Sequence, residues 1–131
     1  MLLSRAAETA LKALPHLDPC GPGAPGRETR DLALACGEPA PWLGKVLQKL
    51  ARAGVLRSKR GRTGGFVLGR PAAEITLADV LLAIEGADDL ERLLDVPAGP
   101  AGPALLPARD ALLSALRETT LESIVPPGDS R

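Results

Sequence analysis

The sequence predicts a mainly α-helical fold carrying one small β-hairpin, and three observations lead there. Aromatic residues are nearly absent: Trp42, Phe66 and no tyrosine. The core must therefore be built from Leu, Val, Ile and Ala, which suits packed helices better than a large sheet. Apolar residues recur at three- and four-residue spacing along most of the chain. A single stretch, Val55 to Gly69, instead alternates with the period of a strand around a glycine-rich centre. At 131 residues there is length for one core and not for two.

Each element follows from local signals. Leu3, Ala6, Ala7, Ala10, Leu11 and Leu14 set the stripe of a first helix that Pro15 stops. The Pro- and Gly-rich run from Pro19 to Gly26 reads as a loop. Thr29 is the expected N-cap of a second helix over Arg30 to Cys36. Leu32, Ala33, Leu34 and Ala35 are its packing candidates, and Gly37 supplies the left-handed residue that closes it. A third helix spans Trp42 to Ala53, with Pro41 tolerated in its first turn and Gly54 ending it. Leu43, Val46, Leu47 and Leu50 form its apolar stripe; Gly44, Lys45, Gln48, Lys49 and Arg52 fall on the other side. Two helices around a short glycine-containing turn, the second basic on its outer face, make a helix-turn-helix pattern.

Val55–Lys59 and Phe66–Leu68 then pair as strands around a tip from Arg60 to Gly65. Val55, Phe66 and Leu68 are expected to sit on the helices, so the ribbon is a wing. Thr76 and Asp79 form a capping box at the start of a fourth helix, with Val80, Leu81 and Ile84 as its apolar face and Gly86 as its stop. A short helix is expected around Asp89–Leu94. The run PAGPAGPALLP, Pro97 to Pro107, is expected to break regular structure. A fifth helix follows over Ala108 to Glu118, bearing Leu112, Leu113 and Leu116. Thr119 with Glu122 caps a last short turn ending near Val125, before a frayed tail.

Charge is distributed unevenly in this formally neutral chain. Between Lys45 and Arg70 lie eight basic residues and no acid: Lys45, Lys49, Arg52, Arg57, Lys59, Arg60, Arg62 and Arg70. Beyond Arg70 the sign reverses through Glu74, Asp79, Glu85, Asp88, Asp89, Glu91 and Asp95, opposed only by Arg92. The two intervals are expected on opposite faces. A basic helix joined to a basic ribbon fits the major groove of double-stranded DNA and its adjacent phosphates. Lys45, Lys49, Ser58 and Lys59 are the candidate phosphate contacts. Arg60 and Arg62 flank a glycine at the tip, placed for a narrow minor groove or for phosphate. Thr63 is a candidate hydroxyl contact, and Arg57 is left to either side of its strand. Trp42 is expected to pack beneath the start of the third helix.

Other classes find little support. With one histidine, His16, and no Ser/His/Asp, HExxH or paired-carboxylate arrangement, the chain offers no catalytic set and no metal ligands. Its longest apolar runs are too short for a bilayer, and Glu8 and Lys12 interrupt the N-terminal segment where a secretion signal needs an apolar core. A cytoplasmic location is expected. Cys20 and Cys36 make no disulfide framework; they are either a thiol switch or small buried hydrophobes.

The run from Leu47 to Gly86, LQKLARAGVLRSKRGRTGGFVLGRPAAEITLADVLLAIEG, resembles the Rrf family of winged-helix transcriptional regulators, the IscR and NsrR relatives. The resemblance rests on Leu50-Ala51-Arg52-Ala53-Gly54, Arg60-Gly61, Gly64-Gly65-Phe66 and Ile75-Thr76-Leu77-Ala78-Asp79. It implies a winged helix-turn-helix over residues 1–86, a variable loop over 87–107, and a dimerisation helix with its tail over 108–131. It further implies a homodimer that binds a roughly palindromic operator and represses or modulates transcription. Many such regulators hold an iron–sulfur cluster on three cysteines between the fourth helix and the dimerisation helix. Ala87 to Ala108 contains none here, so no cofactor is expected. Relatives also carry a carboxylate near the place of Gly44, where glycine has no reach to a base edge. The rival readings are a winged-helix protein-interaction module and a thiol-based redox sensor.

Overall fold

A computed structural model describes residues 3–18, 24–60 and 65–124. Helix α1 (Arg5–Ala13) starts on Ser4, whose hydroxyl accepts from the Ala7 N–H at 3.1 Å, and runs into a 3₁₀ turn at Leu14–His16. Ala7, Ala10 and Ala13 are completely buried. That allows α1 to approach α2 (Thr29–Cys36), α3 (Ala40–Arg52) and α4 (Leu77–Glu85) closely.

Helix α3 is the best determined by its own sequence. Pro41 lies in the first turn, where its missing N–H is not needed. Leu43, Val46, Leu47 and Leu50 are all at most 1% exposed. Burying four such side chains contributes on the order of 1.5–3 kcal/mol each. Gly54, at φ +83°, turns the chain out of the helix. In α2 the cap falls one residue earlier than expected: Glu28 is the N-cap and Thr29 is already helical. Only Leu32 and Ala33 of its four packing candidates are buried, while Leu34 is 79% exposed and Ala35 is also outside. An eight-residue helix packed along one side buries a single narrow stripe.

The turn between α2 and α3 is tied to α1 by a polar network. Glu38 accepts from Lys12 Nζ at 2.9 Å and Thr9 Oγ1 at 3.3 Å, with Arg5 at 3.6 Å. Thr9, fully buried, in turn accepts from Trp42 Nε1 at 2.9 Å, and the Arg5 guanidinium lies 4.7 Å from the centre of the indole. Trp42 therefore packs beneath the helix start, as expected. The Lys12 hydrogen bond holds the Glu38 carboxyl below the usual carboxylate range, with Arg5 and Thr9 adding to it against partial desolvation. Its stabilising contribution is present above the ordinary carboxylate pKa and is lost as acid protonates the folded state.

Strands β1 (Leu56–Lys59) and β2 (Gly65–Leu68) pair antiparallel in the register Leu56–Leu68 through Lys59–Gly65. Val55, Phe66 and Leu68 are buried as expected, and so are Leu56 and Val67, which a two-residue alternation would leave outside. The opposite edge of β2 is also occupied. Phe66 and Arg27 exchange backbone hydrogen bonds at 3.0 and 2.9 Å, and the Leu68 N–H donates to Asp18 O at 3.1 Å. The chain before α2 thus supplies a third, one-residue strand. Gly65, at φ +119°, lies so close to the Arg27 carbonyl that a Cβ would overlap it.

Helix α4 bears the expected capping box, with Asp79 N donating to Thr76 Oγ1 at 3.1 Å and Thr76 N to Asp79 Oδ2 at 3.0 Å. Gly86 closes it at φ +66°. Helix α5 is a single turn, Leu90–Leu93. Helix α6 spans Ala101–Glu118, which corrects the expected break through Pro107. Pro100 is its N-cap and Pro103 stands in the first turn, where no N–H has an intrahelical partner. Only Pro107 is interior, and it forfeits one backbone hydrogen bond. After α6, Leu77 N donates to Thr119 O and Leu121 N to Ile75 O, both at 2.9 Å, stitching the last helix α7 (Leu121–Ile124) to the residues before α4. No helix among the described residues is long and apolar enough to cross a membrane.

Gly65→Ala is expected to cost at least about 2 kcal/mol, because the residue would carry both left-side backbone strain and a steric overlap with Arg27. Urea unfolding measures the loss, and faster amide exchange at Phe66 locates it in the ribbon.

Candidate nucleic-acid interface

Because the leucine-and-valine stripe of α3 faces the core, the opposite arc is forced outward. Lys45, Gln48, Lys49 and Arg52 share that arc and are exposed. On β1, Arg57 and Ser58 are exposed, and Arg60 follows at the end of the strand. Helix and ribbon are joined through Ala53–Val55, where Val55 N donates to Leu50 O at 3.0 Å. Arg57, left open between two sides, is on the solvent side.

Not every cation of the basic interval is free. Lys49 Nζ donates to Ile84 O at 3.3 Å, at the carbonyl end of α4. Lys59 is half-buried and donates to the Ala24 carbonyl, bracing β1 against the loop before α2. Arg70 pairs with Asp79 Oδ2 at 3.3 Å and donates to Glu74 O at 3.0 Å. These contacts correct the expectation of opposite faces: the basic and acidic intervals meet along an edge, at Arg70–Asp79 and where Lys49 reaches α4. Arg62, Thr63 and Cys20 lie outside the described residues.

Helix α2 adds cations that the reading of Lys45–Arg70 did not include. Arg30, in its first turn, has a side chain 80% exposed and lies 4.0 Å from Glu28 Oε2, and Arg27 stands on the added strand beside β2. The signal for them was weak, since Glu28 and Asp31 sit beside them in sequence and mask the local charge. Gly44 faces this region: a Cβ built there meets only the Thr29 methyl, at an ordinary 3.8 Å. Packing therefore does not require glycine at this position.

Cys36 is partly buried, and desolvation pushes its thiol up despite the nearby Lys12, with Glu38 adding to the rise. A raised pKa leaves less thiolate and a poorer nucleophile at neutral pH.

A family model described as Rrf2, iron-dependent transcriptional regulator, matches residues 3–127. The chain belongs to the Rrf2 family of transcriptional regulators. A Mycobacterium tuberculosis protein named as an HTH-type transcriptional regulator, Rv1287, is 37% identical over 95% of this chain and 81% of its own length. Among solved structures, Staphylococcus aureus CymR in its oxidized form superposes with a TM-score of 0.76 at 28% identity, over 99% of this chain and 100% of that one. Bacillus subtilis CymR, titled the global cysteine regulator of that organism, gives 0.73 at 26% identity, over 94% and 95%. IscR of T. potens shares the fold, with a TM-score of 0.72 at 20% identity over 93% of this chain and 84% of that one.

The iron dependence in the family's description meets a donor set in this Rrf2 chain that does not fit it. The whole sequence offers Cys20, Cys36 and His16, and none of them lies between Ala87 and Ala108. Among the described residues no three His, Cys, Asp or Glu converge closely enough to hold a metal ion. A cluster needs thiolates or imidazoles, and carboxylates alone do not hold one.

Gly44→Ala is expected to stabilise the fold by about 0.5–1 kcal/mol, since it removes a helix-interior glycine and meets no obstruction. Thermal unfolding monitored by circular dichroism checks the sign.

Proposed function

We propose that the protein binds double-stranded DNA as a homodimer and regulates transcription from a roughly palindromic operator. The observation that carries the proposal is the exposed cationic arc of α3, Lys45 and Arg52, continued by Arg57 and Ser58 on β1 and by Arg60 just beyond it. Helix α3 enters the major groove, and the ribbon lies on the adjacent backbone or minor groove. Lys45 and Ser58 contact phosphate, with Arg30 reaching the same strand from α2. Lys49 and Lys59 already donate to carbonyls, so they add to the field more than to individual contacts. Arg62 and Thr63 belong to the same tip by sequence. Gly44 gives α3 no side chain where a base contact is otherwise available, so recognition leans on arginine and on DNA shape. Occupying an operator in the cytoplasm is enough to block a promoter, which makes repression the simplest outcome.

The dimer is supported by the outer side of α6. Ala101, Leu105, Ala108 and Ala115 repeat at spacings of four, three and seven, the seam of a two-helix packing. Leu105 is 45% exposed and Ala101, Ala108 and Ala115 are also outside. A second copy buries that stripe and places two α3 helices for two half-sites.

Binding to an operator-containing duplex is expected to weaken by about 0.9 log unit per log unit of salt for each phosphate contact. Lys45→Ala and Arg57→Ala should each flatten that slope by about one contact, and Lys49→Ala by less. Fluorescence anisotropy across a salt series measures both, and a slope that ignores salt removes the proposal. Leu105→Glu should convert dimer to monomer in size-exclusion light scattering and reduce operator affinity by at least about a hundred-fold, as one half-site is lost.

A further inference from the structure

A groove of about 520 Å³ opens between α1, α4, α5 and α6. That is within the range of small-molecule sites, about 300–1,000 Å³. Nine leucines line it, Leu11, Leu81, Leu93 and Leu116 among them, one from each helix. Its polar lining is Ser4 and Glu85, which are hydrogen-bonded to each other. The Ser4 hydroxyl donates to Glu85 Oε1 at 2.6 Å, and no other side-chain hydrogen bond to this carboxylate is present among the described residues. Among the described residues no Lys, Arg or His lies within ion-pair distance of Glu85.

We propose that this groove binds a small amphipathic amine, its hydrocarbon laid along the leucines and its ammonium against Glu85. The chemistry of the lining selects each half. An apolar wall with no donors to satisfy takes a hydrocarbon at about 25 cal/mol per Å² buried. A carboxylate without a cation at the rim attracts an ammonium and repels an acid of the same shape. Fatty acids and other anions are therefore disfavoured, and neutral alcohols bind without the ionic component.

The position of the groove gives the ligand a role, and this step rests on the regulator reading above. Helix α4 lines the groove and also packs against both α3 and α6. Glu85 and Ser4 join the end of α4 to the start of α1. A molecule that wedges between α4 and α6 alters the angle between the winged unit and the dimer helix. The spacing of the two α3 helices in the dimer changes with it, so affinity for the operator is linked to occupancy.

Calorimetric titration of the full chain with octylamine, 1-octanol and octanoate tests the proposal without any DNA. Octylamine is expected to bind saturably and about ten-fold more tightly than octanoate, with octanol between them. Glu85→Gln, which keeps an acceptor for Ser4, should bring the three to within about two-fold of one another. Leu93→Trp, from a position already 37% exposed, should fill the groove and weaken all three, with an unchanged far-ultraviolet spectrum. Octanoate binding as tightly as octylamine overturns the proposal, as does a Glu85→Gln variant that keeps the preference. So does octylamine binding only on dilution below dimer dissociation, which would make a second copy the occupant. Failure to bind DNA leaves the calorimetry standing, and failure of the calorimetry leaves the DNA reading standing.

Discussion

The burial of one side of α3 is the constraint on which the rest of the molecule depends. Four large aliphatic side chains at helical spacing have no access to water, so the rotation of that helix about its axis is settled. Once it is, Lys45 and Arg52 have no choice but to face outward. The same packing delivers the chain at Val55 into a ribbon whose own apolar residues rest on the helices. The charged surface is therefore a by-product of the core: cations gather on one side because leucines gather on the other. The Thr9–Trp42–Glu38 network then fixes where α3 begins, so both ends of the helix are held.

The cationic interval does two kinds of work. Lys45, Arg52, Arg57 and Arg60 face solvent. Lys49, Lys59 and Arg70 spend their donors on Ile84, Ala24, Glu74 and Asp79, which close loop and helix ends of the fold itself. Long flexible side chains make this possible, because a stem can lie along the protein while its charge satisfies a carbonyl. A count of basic residues therefore overstates the contacts free for a polyanion, and the Arg70–Asp79 ion pair also offsets part of the field.

What could be read from the sequence was what is local. The α3 stripe, the Thr76–Asp79 capping box and the glycines that close α2 and α4 each depend on residues within a few positions of one another, and each stands where the pattern put it. The two-residue alternation around Gly65 likewise gave the ribbon. What escaped was non-local or depended on exemptions to a local rule. Nothing near Arg27 marks it as a strand, because its partner Phe66 lies far along the chain. Leu34 looks like a core residue until the whole of α2 is seen to pack on one side. Pro103 breaks helices in general, yet not in a first turn, so α6 began earlier than a proline count suggested. The destinations of Lys49 and Lys59 were hidden for the same reason, since a carbonyl acceptor has no signature in a side-chain pattern.

The double pairing of β2 reaches beyond the geometry of the ribbon. With Arg27 and Asp18 on one border and β1 on the other, that strand is paired along both sides at Phe66, Val67 and Leu68. Among the described residues the outer border of β1 is unpaired; Arg57 stands on that strand and Arg60 directly after it. Two copies meeting there would bring like charges together, so the sheet cannot grow by adding strands from another molecule. The positive groups on this surface also guard the protein against self-association along the open margin of β1.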